Sequence, residues 1–285
     1  EISACLVGSE MCIRDRNCNE SYYSHIPGKE NSLSFNKYTT YEYNSSNFLV
    51  NKSTVTQTGH PKEEHTIRYS IDYPNYNDGI FQQNNLVTVP IEESFYTDGV
   101  LVKRLHHLHY KDSYIKPWKE YVHYNKEGYS FPPEFTGNVD QNLGVPELIY
   151  SSYSANGQAV SMQTRQGRSV VLIWGYQGQH IIAQIDGASL EEVKSQGIVP
   201  DLIASREEPT EEDWRLLNQL RSRLPNAQVV TTRYEPLVGI VSQTDARGVT
   251  YRYTYDEFNR LCEVIETGEQ EHVLRKTEYK YATEY

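Results

Sequence analysis

The stretch RLHHLHY, Arg104 to Tyr110, holds the densest set of side chains that could do chemistry. Along an extended strand side chains alternate, so His107 and His109 fall on one face and His106 on the other. At most two could then share a metal ion locally. The simpler reading is polar strand positions. Asp72, Asp78 and Asp98 stand beside Tyr or Gly, and paired carboxylates are what glycoside chemistry needs. No spacing fixes a pair here, and Asp is an ordinary turn residue that bonds its own backbone. The acidic run from Glu207 to Asp213 could attract a cation, but a helix N-terminus draws the same charges. Cys18 and Cys262 lie far apart in no ligand spacing. Nothing matches a Gly-x-Ser-x-Gly elbow, a phosphate loop or an HExxH helix. The sequence therefore assigns no catalytic residue, no metal ligand and no cofactor, and it reads as not an enzyme.

The elements that carry these residues are mainly strands. The chain of 285 residues has 24 Tyr against 7 Phe and 3 Trp, which favours pleated, half-wet surfaces over a dry helical interior. From Tyr38 onward, short strands rich in Tyr, Thr and Val alternate with turns that tolerate positive φ: YNDG, YTDG, NKEG, SANG, YQGQ and DARG. Such spacing predicts antiparallel hairpins. Ser169 to Tyr176 and His180 to Ile185 form the clearest pair, about Gly178; Val170 to Ile173 run without alternation, so both faces of that strand should be covered.

One region departs from the pattern. Ser189 with Glu192, and Thr210 with Asp213, have N-cap spacing, and Gly197 and Pro225 are stops, so the spacing predicts a two-helix insertion over 188–224 with Trp214 and Leu217 as its buried contacts.

The net charge of −11 argues against a nucleic-acid partner, since that binding needs clustered Lys and Arg. With a mean hydropathy of −0.68 and no apolar run of roughly 18 residues, no membrane-spanning helix is expected.

At the start, Glu1 to Arg16 carries two of the four Cys, Cys5 and Cys12, and its composition breaks from that of the remaining residues. CLVGSEMCIRD closely resembles a peptide translated from a sequencing adapter, so residues 1–16 are expected to be foreign to the natural protein.

The stretch TDARGVTYRYTYDEFNRLCEVIE, Thr244 to Glu266, closely resembles the YD repeat of the bacterial Rhs (rearrangement hotspot) family. Gly248, Tyr253, Tyr255, Asp256, Arg260 and Leu261 fall on its pattern, while Asn259 takes the place usually held by Gly and Ala246 stands where Pro is common. A weaker copy runs from Tyr153 to Tyr176, with Ser154 in the Asp position.

The resemblance implies antiparallel hairpin repeats forming part of a curling β-shell. Residues 17–150 would be a divergent hairpin region, and 151–285 a YD-repeat-like region containing the helical insertion. It assigns Gly248, Tyr253, Tyr255, Asp256, Asn259, Arg260 and Leu261 structural roles, with Tyr rows stacking across strands and Asn259 in a left-handed turn position. The family's aspartyl self-cleavage motif carries Asp-Pro, and this sequence has none.

In function the resemblance implies a structural segment that with further YD repeats of the same chain encloses or presents a C-terminal effector, at the cell surface or secreted. The alternative is a secreted carbohydrate-binding or carbohydrate-acting β protein, with cell-surface carbohydrate as the partner.

Overall fold

A computed structural model describes residues 18–24, 33–111, 115–128, 130–268 and 271–279. The expectation that residues 1–16 are foreign lies outside the described residues. The chain divides into two compact units, residues 1–146 and 147–285.

In the first unit the described strands are β1 (Cys18–Ser24), β2 (Leu33–Tyr43), β3 (Val50–Gln57), β4 (Glu63–Tyr69), β5 (Pro90–Thr97), β6 (Val100–Lys111) and β7 (Ile115–Tyr124). Each pairs antiparallel with the next in chain order. Asp98 and Gly99, both at positive φ, close the tight β5–β6 turn, which is what two-residue hairpin loops require.

YNDG behaves differently from the hairpin turn its residues suggest. Asn77, Asp78 and Gly79 do take positive φ, but they lie within a helical excursion between β4 and β5 that also contains α1 (Ile80–Gln83). Tyr76 and Phe81 are buried on that excursion. With Ile91 of β5, Leu108 of β6, Tyr121 of β7, and Phe135 and Leu143 beyond it, they make the apolar cluster of this unit.

In the second unit the described strands are β8 (Leu148–Tyr153), β9 (Ala159–Thr164), β10 (Ser169–Gly175), β11 (His180–Asp186), β12 (Gln228–Glu235), β13 (Gly239–Thr244), β14 (Thr250–Tyr255), β15 (Leu261–Thr267) and β16 (His272–Lys276). They too pair antiparallel in chain order. The fold is mainly antiparallel β.

The insertion between β11 and β12 holds three helices where two were expected: α2 (Leu190–Ser195), α3 (Pro200–Ala204) and α4 (Glu211–Arg223). The extra one starts on Pro200, whose missing N–H costs nothing at a first helical position. Capping boxes close α2 at Ser189/Glu192 and α4 at Thr210/Asp213. Trp214, Leu217 and Leu220 of α4 pack with Val171 and Ile173 of β10, Ile182 and Ile185 of β11 and Val229 of β12, so the helices cover one face of this part of the sheet. A buried face of this size is what a short helix needs to be stable.

Candidate functional site

The residues assigned to the repeat sit on the β14–β15 hairpin. Asp256 opens a five-residue turn in which the Asp256 amide donates to the Arg260 carbonyl and the Asn259 amide to the Asp256 carbonyl. The Asp256 carboxylate accepts from the Phe258 and Arg260 amides, both at 2.9 Å, and from Arg260 Nε at 2.7 Å. These bonds, from the Arg260 side chain above all, hold the carboxyl below its ordinary range. Asn259 has φ of 58°. Leu261 pairs with Tyr255 across a bulge that skips one residue of β15.

The same backbone pattern recurs at Ser154, Thr164 and Asp245: first amide to fifth carbonyl, fourth amide to first carbonyl. The fourth residue is Gly157, Gly167 or Gly248, each at positive φ. In all three the fifth amide returns to the first side chain, on Ser154 Oγ (3.1 Å), Thr164 Oγ1 (3.2 Å) and Asp245 Oδ1 (2.9 Å). Turns of this length, with a left-handed residue after a type I turn, join strands with the correct twist. The signature is Ser, Thr or Asp followed three residues later by Gly or Asn. TRQGR at Thr164 to Arg168 carries it and was missed among the turn sequences.

The Tyr255 hydroxyl donates to the Ile240 carbonyl of β13 at 2.8 Å, and its ring lies over Gly239, where an added Cβ would come within 2.9 Å of the hydroxyl. Tyr69 donates to Val50 O, Trp174 Nε1 to Ala159 O and Tyr279 to Leu261 O in the same way. At these four places an aromatic side chain thus reaches back to an earlier strand through a backbone carbonyl. Tyr253 is half-buried opposite Val264, and its phenol is raised by burial and by the neighbouring Tyr255 and Tyr251. Gly248 holds the turn before β14.

The histidines of RLHHLHY lie in the first unit. A bulge in the β6–β7 pairing falls between Leu108 and His109, and both residues are buried, so the simple alternation that put His107 and His109 on a shared face breaks there. His107 Nε2 meets Glu93 Oε1 at 3.1 Å and His65 Nε2 meets Glu93 Oε2 at 2.7 Å. These two hydrogen bonds lower the Glu93 carboxyl to about 2. His106, fully buried, donates to Glu92 Oε2 at 3.1 Å, which also accepts the Phe135 amide at 3.0 Å. Burial raises the Glu92 carboxyl, and the His106 and Phe135 bonds outweigh it, leaving a net lowering. His109 packs its ring edge-on to Phe81. Among the described residues no group of three or more His, Cys, Asp or Glu is placed to hold a metal. The arrangement can buffer charge inside the sheet and lock strand to strand.

Serial antiparallel hairpins, four of them closed by this turn, define a hairpin-repeat protein. Residues 239–270, which span β13 to β15 and include the hairpin bearing Asp256, match the family model described as RHS Repeat. A comparison with curated proteins gives no match. Among solved structures, TcdB2-TccC3 without its hypervariable C-terminal region is similar at 12% identity and a TM-score of 0.36, over 85% of this chain and 12% of that one. A Tc holotoxin pore of Photorhabdus luminescens is similar at 12% identity and a TM-score of 0.34, over 86% of this chain and 12% of that one. The chain spans about 12% of the length of these proteins.

Proposed function

We propose that this chain is a structural stretch of a longer exported wall of RHS repeats, which with further repeats encloses or presents a C-terminal effector. The observation that carries it is the RHS Repeat match at 239–270, set in a unit whose strands pair in chain order even across the helical insertion between β11 and β12. A two-stranded hairpin is marginal alone, and each added neighbour buries another face, so such a series grows naturally into a wall. The turn side chains point to scaffold work: Asp256 and Asp245 spend their oxygens on backbone amides and an adjacent Arg. Two of the three acids considered for glycoside chemistry also bind backbone amides, with Asp72 accepting the Tyr69 amide and Asp98 the Lys62 amide. The carbohydrate alternative rests on composition alone.

The test uses the protein expressed from its complete reading frame. A wall that encloses its C-terminal part should protect that part from protease at concentrations that digest it once isolated. Equal digestion in both settings would overturn the enclosure.

A further inference from the structure

We infer that the excursion between β4 and β5, residues 70–89, is an acid-releasable cover held on β6 by the neutral form of His109. The inference does not depend on the wall reading. Three contacts converge on this one residue. The His109 amide donates to Tyr76 Oη at 2.6 Å, Asn77 Nδ2 donates to the His109 carbonyl at 2.9 Å, and the imidazole lies 5.5 Å from the Phe81 ring at 84°. The cover is thus fastened through the backbone and ring of a titratable residue.

His109 Nδ1 is buried and has no hydrogen-bond partner. A neutral imidazole tolerates one unpaired nitrogen at modest cost. An imidazolium there would bury a full charge and an unpaired donor, which is far more costly.

Of the charges around it, the one that shifts the imidazole is His107, and it opposes the proton. From the cover, Tyr76, Asn77 and Phe81 face His109 and none is charged. From β6 comes His107, which repels a positive charge. Glu93 of β5 and Glu120 of β7 line the same cleft of 280 Å³, but both Glu93 oxygens are engaged by His107 and His65. Pro117 of β7 pairs opposite His109, with Lys116 and Lys119 at the flanking pairs.

Burial first, then the repulsion from His107, lowers the His109 imidazole from 6.5 to about 4, against a smaller raising contribution from the His107 backbone. Once the cover lifts, the ring regains its ordinary value. Above 6.5 both states are neutral and the cover keeps its full stability. As pH falls from 6.5 towards 4 the open state takes up the proton first, and that stability is lost. From these two values the opening constant rises about thirtyfold by pH 5. Glu93, at about 2, stays ionised throughout this window, so its links to His65 and His107 persist and the release is local. Opening bares Ile91 and Leu108, both buried beneath the cover.

Hydrogen exchange of the full chain, corrected for intrinsic rates and followed from pH 7.5 to 5.0, reads this directly. Peptides within 70–89 should lose protection at least tenfold while those of β5 and β6 keep theirs. His109→Leu should flatten the loss, and His107→Gln, which removes the smaller of its two causes, should lessen it without abolishing it. Tyr76→Phe, which removes one fastening, should lower protection at neutral pH yet keep the same relative fall. A wild-type cover with unchanged protection down to pH 5.0 would overturn the inference whether or not the variants fold. An equal fall in folded His109→Leu would overturn it as well.

Discussion

Asn259 does with an amide side chain what Gly157, Gly167 and Gly248 do with none: it sits at positive φ as the fourth residue of the turn. Asn is the non-glycine residue best able to do so, because its short polar group costs little there, whereas a β-branched side chain collides with its own backbone. Asn259→Gly should therefore leave thermal stability unchanged or slightly raised, and Asn259→Val should cost about 1–3 kcal/mol. Paired thermal melts check this, and a tolerated Val would show that the turn can relax out of the left-handed region. The turn was legible in the sequence because its bonds run between residues four apart, so Asp256, Asn259 and Arg260 identify themselves. The target of Tyr255 was not. Which carbonyl its hydroxyl reaches, and why Gly239 lies beneath the ring, depends on the pairing of β13 with β14, which no local spacing encodes.

At the scale of elements, α2 and α4 announced themselves through Ser189/Glu192 and Thr210/Asp213, whose side chains and amides bond reciprocally in both capping boxes. α3 did not, since five residues are too few to show a period and Pro200 reads equally well as a stop. The excursion over 70–89 was missed for a different reason. Asn77-Asp78-Gly79 has the residue types of a hairpin turn, and only the distant His109 and Phe135, which meet Tyr76, decide that the chain stays on the sheet instead. α4 matters most for stability. Trp214 is 4% exposed, its neighbours Leu217 and Leu220 are fully buried, and Arg233 of β12 lies over the indole at 4.6 Å. Trp214→Ala should cost about 3–5 kcal/mol through lost burial and the cavity left behind. Denaturant unfolding would measure it, and a loss of less than about 0.5 kcal/mol, the level of a surface change, would mean that α4 is not docked.

Across the whole molecule, strand order follows chain order within each unit, so the mainly β, hairpin-built class was open to reading from turn spacing and Tyr content alone. Where the packing would concentrate was less legible. In the second unit the fully buried cluster draws on β10, β11, β12 and the three helices, while every residue of β16 is exposed. Strands of one series thus differ sharply in what covers them: Val171, Ile173, Ile182, Ile185 and Val229 are shielded by α4 and its neighbours, whereas Val273 and Leu274 are more than half exposed. Local opening follows buried apolar contact, and a series of nearest-neighbour hairpins has no need to open all at once. Native-state hydrogen exchange should then show a gradient, with amides of β10 to β12 protected at least about a hundredfold more than those of β16, a difference of about 2.7 kcal/mol in opening free energy. β13 to β15 should fall between, since Arg221 of α4 reaches the carbonyls of Thr244 and Asp245 and so fastens the β13–β14 turn to the helix-covered part. Removing that fastening with Arg221→Leu should move β13 to β15 towards the fast end and leave β10 and β11 nearly unchanged. Uniform protection from β8 to β16 would show instead that the second unit opens as one cooperative body, and that its hairpins do not act as separable repeats.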